Sequence, residues 1–239
     1  MDAKIAYLGA QSPCDGFAAS DHFFFNECST QSNRALTGIV EVKGPFRGGE
    51  RIFHAGQTPR AIYIVREGAV KCERVAINGG LHVAGFYLSG EMFGGEDIGC
   101  DEHCYDAIAL EESWVCEISM ARLEKLFITY PDLQHCFLSQ LSERIRASER
   151  ILTESFHARA KHRLVNFLCD FYSRLSVRTN QMGTSIALPM NKCDIANHLG
   201  ISAETLSRML RELEDEKKIR NGIRTIELID PARLACSLK

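Results

Sequence analysis

Between Ile39 and Ile118 the apolar positions come in short runs, each closed by a glycine turn. Arg51–His54 leads to Ala55-Gly56, Ala61–Val65 to Glu67-Gly68, Ala69–Val75 to Asn78-Gly79-Gly80, and Leu81–Leu88 to Ser89-Gly90-Glu91. Tyr105–Leu110 and Trp114–Ile118 complete the series. Asn-Gly and Glu-Gly separators between β-branched and aromatic runs predict hairpins, and their spacing predicts an antiparallel barrel or jelly roll. Another sandwich made from the same strands is the alternative.

After Ser119 the period lengthens to that of helices. Met120–Phe127 reads as a short helix, and Pro131 opens a much longer one, since proline suits the first helical turn. Along it Phe137, Leu141, Ile145, Ser148 and Ile151 or Leu152 recur at roughly heptad spacing. A narrow apolar stripe on a long helix is buried most simply against a copy of itself, which predicts a homodimer. The competing arrangement is a helix folded back on its own roll. His162–Leu175 reads as another amphipathic helix and residues 176–185 as a polar loop.

Leu188–Glu214 then divides into two helices. Ile195, Ala196 and Leu199 share one face of the first, Gly200 permits a tight turn, and Ser202 can cap a second helix from Ala203. Leu206, Leu210 and Leu213 are its packing positions, leaving Glu204, Thr205, Ser207, Arg208 and Arg211 on the other sides. A helix-turn-helix needs this division, because its second helix buries one face and offers polar groups to base edges and phosphates. An ordinary helical hairpin with a charged face is the plain alternative. Lys217 follows, and Ile223–Ile229 alternates like the strand of a short wing.

The chain has 239 residues, 45% of them apolar, enough to bury real cores. A formal charge of -3 gives no global positive field, so any nucleic-acid contact must use a local patch. Such a patch is present in sequence: Arg144, Arg146, Arg150, Arg159, Lys161, His162 and Arg163 precede the two helices, and Lys217, Lys218, Arg220 and Arg224 follow. No secretory leader or bilayer-length apolar run occurs, so a cytoplasmic location without membrane contact is expected. Residues 1–32 read as irregular but docked, because Phe23, Phe24 and Phe25 are unusual in a disordered tail. Ten cysteines in a reducing compartment are either small buried apolar residues or ligands of a metal, cluster or redox site.

Taken together, the glycine-punctuated roll, the long helix and the winged helix-turn-helix resemble the Crp/Fnr family of bacterial transcription regulators over nearly the whole chain. Asp194-Ile195-Ala196 and Leu199-Gly200 stand at the family's first-helix positions, and Glu204-Thr205-Leu206-Ser207-Arg208 resembles the E-[TS]-x-S-R signature of the Fnr/FixK branch. The resemblance implies an α+β fold: a cyclic-nucleotide-binding-like β-roll, a long central dimerisation helix and a C-terminal winged helix-turn-helix. The expected boundaries are 1–32 for an N-terminal segment, 33–127 for the roll, 128–158 for the dimerisation helix and 159–239 for the DNA-binding domain. It further implies a non-enzymatic homodimer that binds double-stranded DNA at TTGAT–ATCAA-type palindromes, with RNA polymerase as a partner. Glu204, Ser207 and Arg208 would meet base edges, with Thr205, Arg211 and Lys217 beside them. Roll loops such as Phe93–Asp97 are the expected polymerase contacts.

The effector end departs from the family's patterns. Cyclic-nucleotide receptors follow their Gly-Glu with an Arg-Ser pair for the phosphate. Here Gly90-Glu91 is followed by Gly99-Cys100-Asp101-Glu102-His103-Cys104-Tyr105, whose carboxylates would repel a phosphate, so cyclic AMP is not expected. Cys116, in Trp114-Val115-Cys116-Glu117-Ile118, stands at the internal cluster-ligating cysteine of the oxygen-sensing Fnr proteins. Those proteins take three more thiolates from a compact N-terminal run, whereas this chain has only Cys14 and Cys28 before the roll, thirteen residues between them. A 4Fe-4S cluster sensing oxygen, nitric oxide or redox state would therefore use Cys14, Cys28, Cys116 and one of Cys100 or Cys104. The alternatives are thiol-based redox control, FixK-like regulation without cofactor, heme on His22, His82 or His103, and a cupin-like metal site from His54, His82, His103 and Glu91.

Overall fold

A computed structural model describes residues 28–76, 79–155, 160–179, 185–231 and 234, with the side chains of 147, 150–155 and 177–179 outside that description. Strands β1 (Val40–Phe46), β2 (Arg51–Phe53), β3 (Ala61–Glu67), β4 (Ala69–Val75), β5 (Leu81–Leu88), β6 (Met92–Phe93), β7 (Asp106–Ala109) and β8 (Ser113–Ser119) form the roll. They make two four-stranded sheets, ordered β1-β8-β3-β6 and β2-β7-β4-β5. The Glu67-Gly68 turn requires its glycine: φ is +86°, and a Cβ there would meet Ser113 Oγ at 2.3 Å.

Strand alternation decides what each face does. Cys116 lies opposite both Val42 and Ile64, and Ile62, Ile64, Cys116 and Ile118 contribute to one buried core. Helices α1 (Thr30–Thr37), α2 (Met120–Thr129) and the start of α3 (Pro131–Ser155) supply the rest, including Leu36, Leu123, Leu133, Cys136 and Phe137. In a second aromatic group, Phe53 stacks on His103 at 3.9 Å and on Phe93 at 6.1 Å, with Tyr63 beside both phenylalanines. His103 is buried and its Nδ1 lies 2.8 Å from Asp97.

Helix α1 falls partly inside the segment expected to be irregular. Ser29 caps it by accepting a hydrogen bond from Ser32 N at 3.2 Å, while its sequence, TQSNRALT, has too few apolar groups to show a helical stripe. Ser29 N and Ser32 Oγ both donate to Asp132 at the start of α3, at 3.1 and 2.7 Å. Those bonds hold the Asp132 carboxyl down at about 2, the Ser32 hydroxyl contributing most.

The chain divides into two compact units: the described residues up to Val70 with Tyr87–Arg144, and Lys71–Phe86 with Ile145 onward. The division thus passes through α3 and takes the outer part of the β4–β5 hairpin away from the roll. In the second unit α4 (Ala160–Thr179) buries Leu164, Val165, Phe167, Leu168 and Phe171. It is longer than its apolar pattern implied, taking in residues 176–179 that were expected to be loop. Strands β9 (Ser185–Ala187), β10 (Ile219–Asn221) and β11 (Thr225–Leu228) form a three-stranded sheet ordered β10-β11-β9 beside α5 (Lys192–Leu199) and α6 (Ala203–Asp215). Lys71 bridges Glu73 and Asp194, each at 2.6 Å, and His198 Nδ1 lies 3.0 Å from the Val83 carbonyl. Burial opposes the charge on Lys71, but hydrogen bonds to Asp194 and Glu73 outweigh it and raise its pKa.

Candidate nucleic-acid interface

Helix α6 is placed by caps at both ends and by the helix before it. Asn191 and Asp194 form a reciprocal capping box on α5, which ends at Gly200 in the left-handed conformation, φ 64°. Ser202 then accepts from Thr205 N at 3.1 Å and starts α6. Leu206, Met209, Leu210 and Leu213 are buried. Met209 therefore joins the three expected leucines, closing the apolar face at the spacing of adjacent helical turns.

The opposite side stays open. Glu204, Arg208 and Arg211 are exposed, while Thr205 and Ser207 are half-buried. Arg208 is 72% exposed and its ion-pair contact is Glu212 at 4.0 Å. At the far end Lys217 takes φ 55°, and Lys217 N and Lys218 N donate to the carbonyls of Glu214 and Leu213, both at 2.9 Å. Lys161 of α4 holds the same end, 2.6 Å from Glu216 and 3.5 Å from Glu212. The hydrogen bond with Glu216 raises the Lys161 pKa and lowers that of Glu216. The wing follows as β10 and β11, with Ile219 opposite Leu228 and the Asn221-Gly222 turn between them. Arg220 and Arg224 are exposed along it.

Of the basic residues noted in sequence, Arg208, Arg211, Lys217, Arg220 and Arg224 are exposed, whereas Arg163 donates to the Leu199 carbonyl at 3.2 Å, Lys218 pairs with Glu216 at 2.9 Å, and Lys161 and Arg144 are also engaged. Lys161 anchors α6, and Arg144 donates to the Met92 carbonyl, Glu96 and Tyr87 of the roll unit. The Phe93–Asp97 loop, expected as a polymerase contact, is corrected: Phe93, Gly94, Gly95 and Asp97 are buried and Glu96 pairs with Arg144. The exposed stretch is 98–102, just beyond it. Glu91 accepts from Leu88 N at 2.8 Å and so closes its own turn.

The expected dimerisation stripe is offset by one residue at its start. Phe137 is only 4% exposed and packs its ring on Phe127 at 5.4 Å inside the roll unit's core, so it does not face outward. Leu138 and Ile145 are exposed instead, at 53% and 59%, with Leu141 half-buried and Ser148 exposed. The side chains of Ile151 and Leu152 lie outside the described residues. Leu141 packs against the roll core together with Phe137, whereas Leu138 and Ile145, one heptad apart, stay open, so α3 carries one apolar stripe for its own roll and one left exposed.

The expected cluster ligands are separated. Cys28 and Cys116 belong to one core, where sequence reasoning did not place Cys136, which borders it as well. Cys100 and Cys104 are exposed. Cys14, like His22, lies outside the described residues. No group of three His, Cys, Asp or Glu among the described residues could hold a metal ion, and this includes His54, His82, His103 and Glu91.

A β-roll, a long helix with an open apolar stripe and a capped helix with an open polar face together define a winged helix-turn-helix regulator of the roll-containing class. Comparison with known proteins gives the same class. A model of the Crp-like helix-turn-helix domain matches residues 162–237, and one of the cyclic nucleotide-binding domain matches residues 43–130. The chain is 31% identical to the fumarate and nitrate reduction regulatory protein of Vibrio cholerae, over 83% of this chain and 79% of that protein. It is 29% identical to the transcriptional activator protein Anr of Pseudomonas protegens, over 85% and 83% of the two chains. Among solved structures, FixK2 from Bradyrhizobium japonicum matches with a TM-score of 0.72 and 25% identity, over 82% of this chain and 95% of that one. The chain belongs to the Crp/Fnr family of transcription regulators. No helix among the described residues is long and apolar enough to cross a membrane.

Proposed function

We propose that the protein is a homodimeric, cytoplasmic transcription regulator that reads a TTGAT-like palindrome and responds to oxygen, nitric oxide or redox state through a cysteine-ligated iron–sulfur cluster. The observation that carries the DNA reading is the open face of α6, where Glu204, Ser207 and Arg208 are not committed to the fold. Glu204 accepts from a cytosine amine, Arg208 donates to a guanine, and Ser207 does either. Thr205, Arg211 and Lys217 add backbone contacts. Pairing of two α3 stripes sets the separation of the two reading helices to a turn of DNA. RNA polymerase is the expected partner at promoters where the protein activates.

Support for the sensing half is chemical: Cys116 matches the internal cluster cysteine of the Fnr branch, and Cys28 shares its core. Cluster binding would hold the N-terminal segment against the start of α3 and favour the paired dimer. A few kcal/mol of preference moves such an equilibrium across most of its range. The absence of a preformed three-ligand group among the described residues favours a second reading, FixK-like regulation without cofactor or through thiol oxidation. Iron-loaded protein prepared without air is tested for mass in solution and for binding to a palindromic duplex, then retested after air. The first reading predicts a tight-binding dimer that weakens at least tenfold as iron is lost. Equal binding before and after would leave the second.

A further inference from the structure

We infer that the roll unit binds a small zwitterion, an aromatic α-amino acid, in a cleft lined by Glu117, Arg60 and a wall of aromatic rings. This goes beyond the DNA reading and does not depend on it. The cleft has a volume of about 600 Å³, within the range of small-molecule sites. Its lining, among the described residues, leaves out Gly90 and Glu91, the pair that precedes the phosphate grip in cyclic-nucleotide receptors.

Strand pairing builds the site. Tyr63 of β3 lies opposite Glu117 of β8, and Ala61 lies opposite Ser119. Alternation puts these four on the face away from Ile62, Ile64, Cys116 and Ile118, whose side chains fill the core. The rings of Phe53 and Tyr63 are 5.2 Å apart, and His103 stacks on Phe53 at 3.9 Å. The His103 Nδ1, 2.8 Å from Asp97, fixes that ring in place. Phe53, Tyr63 and His103 thus give the cleft an aromatic wall.

Charges of both signs line the same cleft without neutralising each other. Glu117 is half-buried and forms no ion pair among the described residues, while Lys43, the cation that feels its charge, lies 3.0 Å from Glu41 instead. Arg60 is exposed, and its guanidinium makes no ion pair or hydrogen bond among the described residues. A half-buried carboxylate beside aromatic rings carries a desolvation cost that a bound cation offsets. A guanidinium takes a carboxylate through two parallel hydrogen bonds. Burial, with the Glu117 charge adding to it, pushes the Tyr63 phenol up to about 12, so it remains a neutral donor. An aromatic α-amino acid carries the three matching groups on one carbon: an ammonium for Glu117, a carboxylate for Arg60 and a ring for the wall. A purely anionic ligand would meet repulsion from Glu117.

The test is isothermal titration calorimetry of the full chain with L-phenylalanine, and with phenethylamine and 3-phenylpropionate, each of which lacks one of its charges. L-Phenylalanine should saturate with a Kd below about 1 mM. Each analogue should bind at least about tenfold more weakly, a comparison made on the parent and independent of any variant's folding. Glu117→Gln and Arg60→Gln should each weaken phenylalanine binding by about tenfold or more while keeping the parental melting temperature without ligand. Glu117→Gln should also lose its preference for phenylalanine over phenylpropionate, and Arg60→Gln its preference over phenethylamine. Equal affinity of the parent for phenylalanine and either analogue, or unchanged phenylalanine binding by both folded variants, would overturn the inference. So would the absence of saturable binding with L-phenylalanine, L-tyrosine and L-tryptophan alike.

Discussion

Arg208 is available to DNA because the fold asks little of it. Its exposed contact with Glu212 at 4.0 Å is of a kind worth about 0.3–0.5 kcal/mol, small beside the roughly 1–3 kcal/mol that a bidentate contact to the right base supplies. Lys217 differs, since its left-handed φ of 55° is unfavourable for a side-chain-bearing residue. Lys217→Gly should remove a phosphate contact and raise stability by about 0.5–1 kcal/mol, weakening cognate and scrambled duplexes alike and reducing the salt slope by about one unit. Titrations at several salt concentrations with a melting curve check both parts. The open face of α6 was legible in sequence because Ser202, Gly200 and the leucines fix the helix locally. Met209 was not, since only the packed hairpin shows how wide the buried face is.

His198 carries a pH dependence. It packs against Phe86 and Phe167 and bonds the Val83 carbonyl, while His82, Arg174 and Asp170 are the charged groups acting on it. Burial depresses its pKa below the ordinary 6.5, so the folded state favours the neutral ring. The stability it gives is full above about 6.5 and is lost as pH falls through that value toward the depressed one. The melting midpoint should therefore drop as the pH falls below the ordinary histidine value of 6.5, and less so in His198→Asn. An identical drop in the variant would assign it to other groups.

At the scale of elements, α3 shows what periodicity alone can resolve. Its long apolar pattern was evident, but a one-dimensional pattern cannot tell a stripe meant for the roll from one meant for a partner. Phe137 is buried in the roll and Leu138 is exposed, one residue apart and about 100° around the helix. Ile145→Glu places a charge on the open stripe without touching the core, because Ile145 is 59% exposed. Sedimentation should find this variant monomeric at micromolar concentration where the parent is dimeric, with the melting behaviour of the roll retained. A dimeric variant would return α3 to its own subunit. Helix α1 was hidden for a related reason: it is held by the Ser29 cap, the Asp132 bonds and the single buried Leu36, too little to show an apolar stripe in sequence.

At the scale of the molecule, the overall charge of -3 conceals a local run of basic residues between 208 and 224. Arg208, Arg211, Lys217, Arg220 and Arg224 are exposed on α6 and the wing, while Lys161 and Arg144 spend their charge inside their own units. The roll was legible because glycine turns separate its strands. The shared core of Cys28, Cys116 and Cys136 was not, since they are 88 and 20 residues apart in sequence.

The central claim is that the exposed face of α6 reads DNA sequence. Its most direct test is the anisotropy-measured Kd of parent and Arg208→Ala proteins for a TTGAT–ATCAA duplex and for a scrambled duplex of equal length and composition. The parent should prefer the palindrome strongly. The variant should lose about 1–3 kcal/mol per half-site on the palindrome, roughly tenfold or more, with little change on the scrambled duplex. Undiminished discrimination by a folded, dimeric Arg208→Ala protein would contradict the account.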